Sequence, residues 1–289
     1  GVTNYVVDSA SIEVDRRARR AKSDTIDVVG LLRSLSRYVG GDQRAWRMVR
    51  VPSVAEEDAR HVHRQRETLQ QERTRLINRL RGLLATQGVR LPLRRDFLVR
   101  LEATRCWDGT PVPAGLCQRL GYVWAQLQFL DQQLSDIDAV RASLSTDPQT
   151  ETGRCAQQLQ RLQGMGSVGA WMLTTEIFGW RQIRNGRQLG ALVGVVPAPY
   201  QSGTIAHDQG ITRAGNRHVR RMIIQLAWSW LRYQPLSALT LWYRTRFGAS
   251  RRLRRIGIVA LARKLLIAWW RYLTTGVVPA GAMVKPRVA

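Results

Sequence analysis

The chain is predicted to be mostly α-helical, with a short α/β segment at its start. Apolar residues recur at helical spacing over most of its 289 residues, and two long segments repeat every seven residues. A third observation bears on function class. Forty-five Lys and Arg stand against 21 Asp and Glu, a formal charge of +24 with pI near 11.5. No small acidic metabolite requires such a field, so nucleic acid is the partner it fits. Nearly all of the cations are Arg, with lysine only at Lys22, Lys264 and Lys285. Arg grips phosphate bidentately and stacks on bases. A GC-rich genome would also favour Arg codons, although it would not account for the total charge.

In chain order, residues 2–7 (VTNYVV) resemble a strand, and a basic run follows at Arg16, Arg17, Arg19, Arg20 and Lys22. A helix is predicted from Ser23 to Tyr38, with Ser23 or Asp24 as N-cap and Ile26, Val29, Leu32 and Leu35 as its apolar positions. Residues 54–87 form a long polar helix in which Val62, Leu69, Leu76 and Leu83 repeat by sevens and Leu80 fills an intermediate position. A Pro- and Gly-containing connector, LPLRRDFLVRLEATRCWDGTPVP, interrupts it. A second helix runs from Ala114 to Ser143. Its Leu116, Leu120, Val123, Leu127, Leu130, Leu134 and Ile137 alternate steps of four and three, a coiled-coil seam. The two helices make an antiparallel arm able to dimerise or brace a nucleic acid; two helices of a globular bundle are the alternative.

Residues 155–180 are helical around a Gly turn. Gly164, Met165, Gly166 and Ala170 fit a helix-hairpin-helix element, whose glycines let backbone N–H groups approach a phosphate. A plain Gly-containing helix turn would read the same. A helix near residues 187–193 leads into a loop rich in Gly and Pro that holds Ser202, and a helix follows from Asn216 to Arg232. Trp228, Trp230, Trp242, Trp269 and Trp270 fall in the later helices and read as packing. The apolar segment 256–273 is interrupted by Arg263, Lys264 and Arg271, which marks a packed amphipathic helix and not a membrane span. Cys106, Cys117 and Cys155 have no CxxC spacing, so neither zinc nor a disulfide framework is expected. With no signal peptide evident, a reduced cytoplasmic setting, bacterial and nucleoid-associated, is the expectation.

Two sets of residues could carry chemistry. Asp24 and Asp27, three apart, put both carboxylates on one helix face, where they could hold Mg²⁺ or simply suit the helix N-terminus and the nearby Arg run. Ser202 could act as a nucleophile if a base such as His207, or a metal-bound hydroxide, activates it. Ser-Gly is also ordinary turn chemistry, and His207 and Asp208 could be solvated loop residues. Thr212, Arg213, Gly215 and Asn216 read as a turn feeding a helix N-terminus, and Arg217, Arg220 and Arg221 make that end fit for phosphate.

The order of these pieces resembles the DEDD-type insertion-sequence transposases that carry a catalytic serine, the family associated with bridge-RNA-guided recombination. The resemblance rests on RRARRAKSDTIDVVGLLRSL and on LQRLQGMGSVGAWMLTTEIFG followed by QLGALVGVVPAPYQSG and GITRAGNRHVRR. It implies the end of an α/β RuvC-like domain over residues 1–50, a helical coiled-coil arm over 51–145, a serine-containing α-helical transposase domain over 150–275 and a tail over 276–289. By the same resemblance Asp24 and Asp27 are catalytic ligands of Mg²⁺ and Ser202 is the nucleophile. DNA is then the partner, held by Gly164, Gly166, Arg213, Asn216, Arg217, Arg220 and Arg221; a guide RNA and a homo-oligomer built through the arm are also implied. Only 23 residues precede Asp24, and neither Asp8 nor Glu13 matches the family's upstream acids. The expectation is therefore an N-terminally truncated transposase, with a catalytically incomplete nucleic-acid-binding fragment as the alternative.

Overall fold

The computed structural model describes residues 2–12, 23–202 and 205–286, and at residues 10, 199, 200, 202 and 205–209 it describes the backbone. The chain forms two compact units, residues 1–54 and 55–289.

In the first unit, helix α1 spans Asp24–Val39. Ser23 caps it, its Oγ accepting a hydrogen bond from the Ile26 amide at 3.3 Å. Tyr38 lies between Tyr5, met edge-on at 5.7 Å, and Trp46, tilted at 6.2 Å. The strand expected at residues 2–7 is not formed. Val7 makes one isolated bridge to Met48, flanked by two hydrogen bonds, Asp8 N to Arg47 O and Val49 N to Val6 O. Apolar β-formers alone do not make a strand; a continuous partner ladder is needed. The described residues of this unit contain no sheet. On α1, Ile26, Val29 and Leu32 are exposed, and only Ser34 is buried. The basic run from Arg16 to Lys22 and Glu13 lie outside the described residues.

The second unit begins with the arm. Helices α2 (Val54–Ala85) and α4 (Ala114–Thr146) run antiparallel. Arg66 pairs with Asp138 at 2.8 Å and Arg73 with Asp131 at 2.5 Å, so seven residues forward on α2 match seven back on α4. The short helix α3 (Phe97–Ala103) closes the far end. There Leu80, Leu84, Phe97, Leu101, Leu120 and Trp124 form a small core, with the Phe97 and Trp124 rings 4.7 Å apart. On α2 the buried positions are His63, Leu69, Leu80 and Leu84, while Val62, Leu76 and Leu83 are half-buried. The α2 seam therefore deviates from the strict sevens, because α3 adds a third surface at the far end and charged pairs replace apolar contact nearer the body.

The body packs helices α5 (Glu151–Gln160), α6 (Ser167–Leu173), α7 (Gly186–Val193), α8 (Arg217–Tyr233), α9 (Ala238–Phe247) and α10 (Arg251–Thr275) around one core. Leu159, Leu173, Ile223, Leu261, Leu265 and Trp269 are fully buried in it. Trp230 and Trp269 meet edge-on at 6.2 Å, whereas Trp228 is exposed. A π-helical turn, Thr174–Phe178, continues α6. Residues beyond α10 fold back onto the body: Lys285 N donates to Arg161 O at 2.7 Å, and Gln234 bonds the Met283 backbone through both ends of its amide. Among the described residues no helix is long and apolar enough to cross a membrane.

Candidate active site

A two-stranded antiparallel hairpin, β1 (Pro197–Ser202) and β2 (Ile205–Ile211), stands between α7 and α8. Ser202 is therefore the last residue of a strand, paired with Ile205, and not a loop residue as expected. Pro197 and Pro199 had argued for a loop, since proline donates nothing to a ladder. A two-stranded ribbon has only edge strands, where proline is tolerated, and the register shifts between these two prolines.

The base of the hairpin is tightly bound. Thr212 N donates to Val196 O at 2.9 Å, and Asn216 N to Leu192 O at 3.0 Å. Two glycines make this crossing possible. Gly194 (φ +71°) lies so close to Ala214 that a Cβ there would sit 1.8 Å from the Ala214 carbonyl oxygen. Gly215 (φ +95°) meets the Leu192 carbonyl in the same way, at 2.3 Å. Arg213 takes a left-handed conformation, φ 54°. Arg220 Nη1 donates to both Val193 O (3.0 Å) and Arg213 O (2.9 Å), tying α7, the hairpin exit and α8 together.

The start of α8 is held by a charged hub that sequence reading did not find. Asn216 Oδ1 accepts from the amides of His218 and Val219, and its Nδ2 donates to Glu176 Oε2 at 2.8 Å. Glu176 is fully buried on the π-helical turn, where such turns often mark functional positions. Arg64 Nε donates to it at 3.1 Å, and Arg60 lies 3.5 Å away. Next to this hub, Glu67 of α2 meets His218 Nδ1 at 2.5 Å and pairs with Arg221. The arm and the base of the hairpin are thus joined through α8. Burial holds the His63 imidazole down at about 4, and its Nδ1 has no hydrogen-bond partner among the described residues. Burial, then the neighbouring Arg217, lowers His218. A cleft of about 480 Å³ opens beside the hub, lined by Arg64, Glu67, Thr68, Asn216, Arg217 and His218. One signal for the hub was present in the sequence: Glu176 is the single charge in the apolar run WMLTTEIFGW, and a buried carboxylate demands cationic partners.

The expected DNA-binding residues have different surroundings. Arg213 and Arg217 are exposed. Arg220 is spent on two carbonyls, and Arg221 on Glu67 while still half exposed. Gly164 (φ +82°) faces α8: its carbonyl accepts from Ser229 Oγ at 2.8 Å, and a Cβ would meet Tyr233. Gly166 caps α6 in open space. Asp24 and Asp27 are exposed on the first turn of α1, in the first unit. Their carboxylates are oxygen donors of the type Mg²⁺ prefers. Among the described residues no group of three or more His, Cys, Asp or Glu could hold a metal. Burial pushes the Cys155 thiol up to about 12, far from a reactive thiolate.

These features define a class, a basic helical protein with a long arm and a β-hairpin anchored at an arginine-rich helix start. Residues 156–241, which contain the hairpin, Glu176 and α8, match the family described as "Transposase IS116/IS110/IS902 family". The chain is 43% identical over 296 residues to "Putative transposase y4rJ" of Sinorhizobium fredii, covering 99% of this chain and 74% of that protein. It is 26% identical over 220 residues to "Transposase for insertion sequence element IS1328" of Yersinia enterocolitica, covering 75% of this chain and 63% of the relative. With "Transposase for insertion sequence element IS1111A" of Coxiella burnetii it shares 25% identity over 259 residues, 88% of this chain and 67% of the relative. The chain belongs to the IS116/IS110/IS902 family of transposases. It spans about two thirds to three quarters of the length of these relatives.

Proposed function

We propose that the chain cuts and rejoins DNA for an insertion sequence, with Ser202 as nucleophile. The observation that carries this reading is the anchored hairpin: a serine at its end and exposed Arg213 and Arg217 where its base meets α8. In the proposed step, Ser202 Oγ forms a bond to a DNA phosphorus while the bond from phosphorus to one DNA oxygen breaks. The serine proton passes to a base, and the leaving oxygen takes up a proton to become a hydroxyl. Residues 202 and 207 occupy diagonal register positions on the ribbon, which makes His207 the candidate base. A hydroxyl of a second strand then attacks the phosphoserine and releases Ser202, so one phosphodiester is exchanged for another.

Arg213 and Arg217 would balance the charge of the phosphate. Gly166, at the open turn before α6, would give a second phosphate contact in a helix-hairpin-helix element formed with Gly164. Asp24 and Asp27 would hold Mg²⁺, whose charge stabilises developing negative charge on phosphate oxygens. The arm formed by α2 and α4 would serve as a coiled-coil contact between protomers, and a guide RNA would select the site. The test is a denaturing-gel assay for a covalent adduct between the chain and labelled DNA in Mg²⁺. We expect an adduct that disappears in Ser202→Ala. An adduct undiminished in Ser202→Ala would overturn the nucleophile, and binding with no adduct in either protein would favour a nucleic-acid-binding fragment.

A further inference from the structure

At the far end of the arm, Trp107 is 79% exposed. Its position is firmly built. Trp107 N donates to Gln87 O at 3.1 Å, fastening it to the end of α2. Gly88 (φ +66°) lies against it so closely that a Cβ there would be 2.8 Å from the Trp107 Cβ. The turn beyond is closed by Cys106 N to Thr110 O at 2.8 Å and by Asp108, whose Oδ1 accepts from the Thr110 amide and hydroxyl. A large ring is thus presented to solvent on a rigid mount, with little left to order on binding.

The charges around it are mainly positive. Arg90 and Arg105, each two residues from this junction, are exposed and have no acidic partner among the described residues. Arg75 and Arg79, four apart on α2, extend the basic surface along the shaft. Between Arg73 and Leu130 the acids are Asp96, Glu102 and Asp108. Asp96 pairs with Arg100, whereas Asp108, hydrogen-bonded to Thr110, and exposed Glu102 keep their negative charge among these arginines.

A fixed, exposed aromatic among free arginines matches the chemistry of an unpaired nucleotide, whose base stacks and whose phosphates pair with guanidinium groups. We infer that the tip of the arm binds single-stranded DNA, with an unpaired base stacked on Trp107 and flanking phosphates held by Arg90 and Arg105. This rests on DNA as partner in the function proposed above, but not on Ser202 chemistry. Duplex DNA keeps its bases stacked inside and would use only the arginines.

The experiment is fluorescence-anisotropy titration of the whole chain with a labelled mixed-sequence single-stranded oligonucleotide, its duplex and its RNA counterpart. Trp107→Ala should weaken single-strand binding about thirtyfold, the middle of the range for losing one stacked base. Trp107→Phe should recover most of it, and duplex binding should change little. Arg90→Ala with Arg105→Ala should reduce the log–log salt slope by about 1.4, two phosphate contacts on a single strand. Single-strand affinity unchanged in Trp107→Ala would overturn the inference. So would an equal loss for duplex, or a Trp107→Ala effect confined to oligomeric state. Preference for the RNA strand would overturn the assignment to DNA. Ser202→Ala should bind single strands as the wild type does while losing the adduct, so that the two proposals fail separately.

Discussion

The two ends of the arm are built by opposite means. Near the body, α2 is held by charge: Arg60 and Arg64 meet buried Glu176, Glu67 meets His218 and Arg221, and Arg66 meets Asp138. At the far end it is held by an apolar core around Leu80, Phe97, Leu120 and Trp124. Where apolar contact supplies the stability, Arg90 and Arg105 are left free for a partner. Where charges supply it, the same residue type is consumed within the chain. A count of arginines therefore measures affinity for phosphate poorly; what matters is which of them already have partners.

The largest expected effect is at the body end. Glu176→Ala removes the shared partner of Arg60, Arg64 and the Asn216 amide. Breaking a buried pair by deleting one member destabilises by about 3–5 kcal/mol. Chemical denaturation should show that loss, together with a weaker cap on α8. Glu176→Gln keeps the shape and one acceptor and should lose less. If Glu176→Ala is neutral, the hub does not hold the helix start.

Next comes the apolar end. Leu120 is fully buried, and Leu120→Ala should lose about 3 kcal/mol through lost burial and the cavity left behind. The loss should be insensitive to salt, whereas stability near Glu67 and Arg221 should weaken as salt rises. Equal salt dependence at both ends would erase the contrast drawn between them.

Protonation sharpens the same contrast. His63 sits on the body-end stretch of α2, held down at about 4 by burial. Its unfolded value is near 6.5, so the unfolded chain binds the proton first as pH falls. Stability from keeping His63 neutral is fully present above 6.5 and is lost on the way down to about 4, on the order of 3 kcal/mol in all. His63→Leu should flatten the stability–pH profile between those limits. A profile unchanged by that substitution would show that His63 is not buried as described.

How much of this could be read in the sequence depends on the range of the interactions. Ser23, one of the two caps expected, caps α1, and Asn216 caps α8 where the sequence placed a helix start, because capping is settled within three residues. The antiparallel arm was legible because its apolar spacing persists over many turns. The hairpin was not, since Pro197 and Pro199 mask a strand pairing that depends on the chain crossing at Gly194 and Gly215. The hub was hardest to see: Glu176 meets Arg64 from 112 residues away and Asn216 from 40. No local pattern encodes such a meeting beyond the oddity of one carboxylate in an apolar run. For the candidate site, sequence placed Ser202 and Arg217 near one another in order, and the structure added the strand, the clamp and the link to the arm.

The smallest effect separates exposure from charge. Arg73 and Asp131 form an ion pair midway along the arm, and both side chains are more than a third exposed. Screening by water and salt limits such a pair to under about 1 kcal/mol, despite its short contact. Asp131→Asn should therefore barely change the denaturation midpoint. It also frees Arg73, between the two ends, for a partner. Single-strand affinity should rise slightly at low salt and return to the wild-type value as salt increases. A large loss of stability instead would mean that charge pairing, and not the apolar core, governs the arm along its whole length.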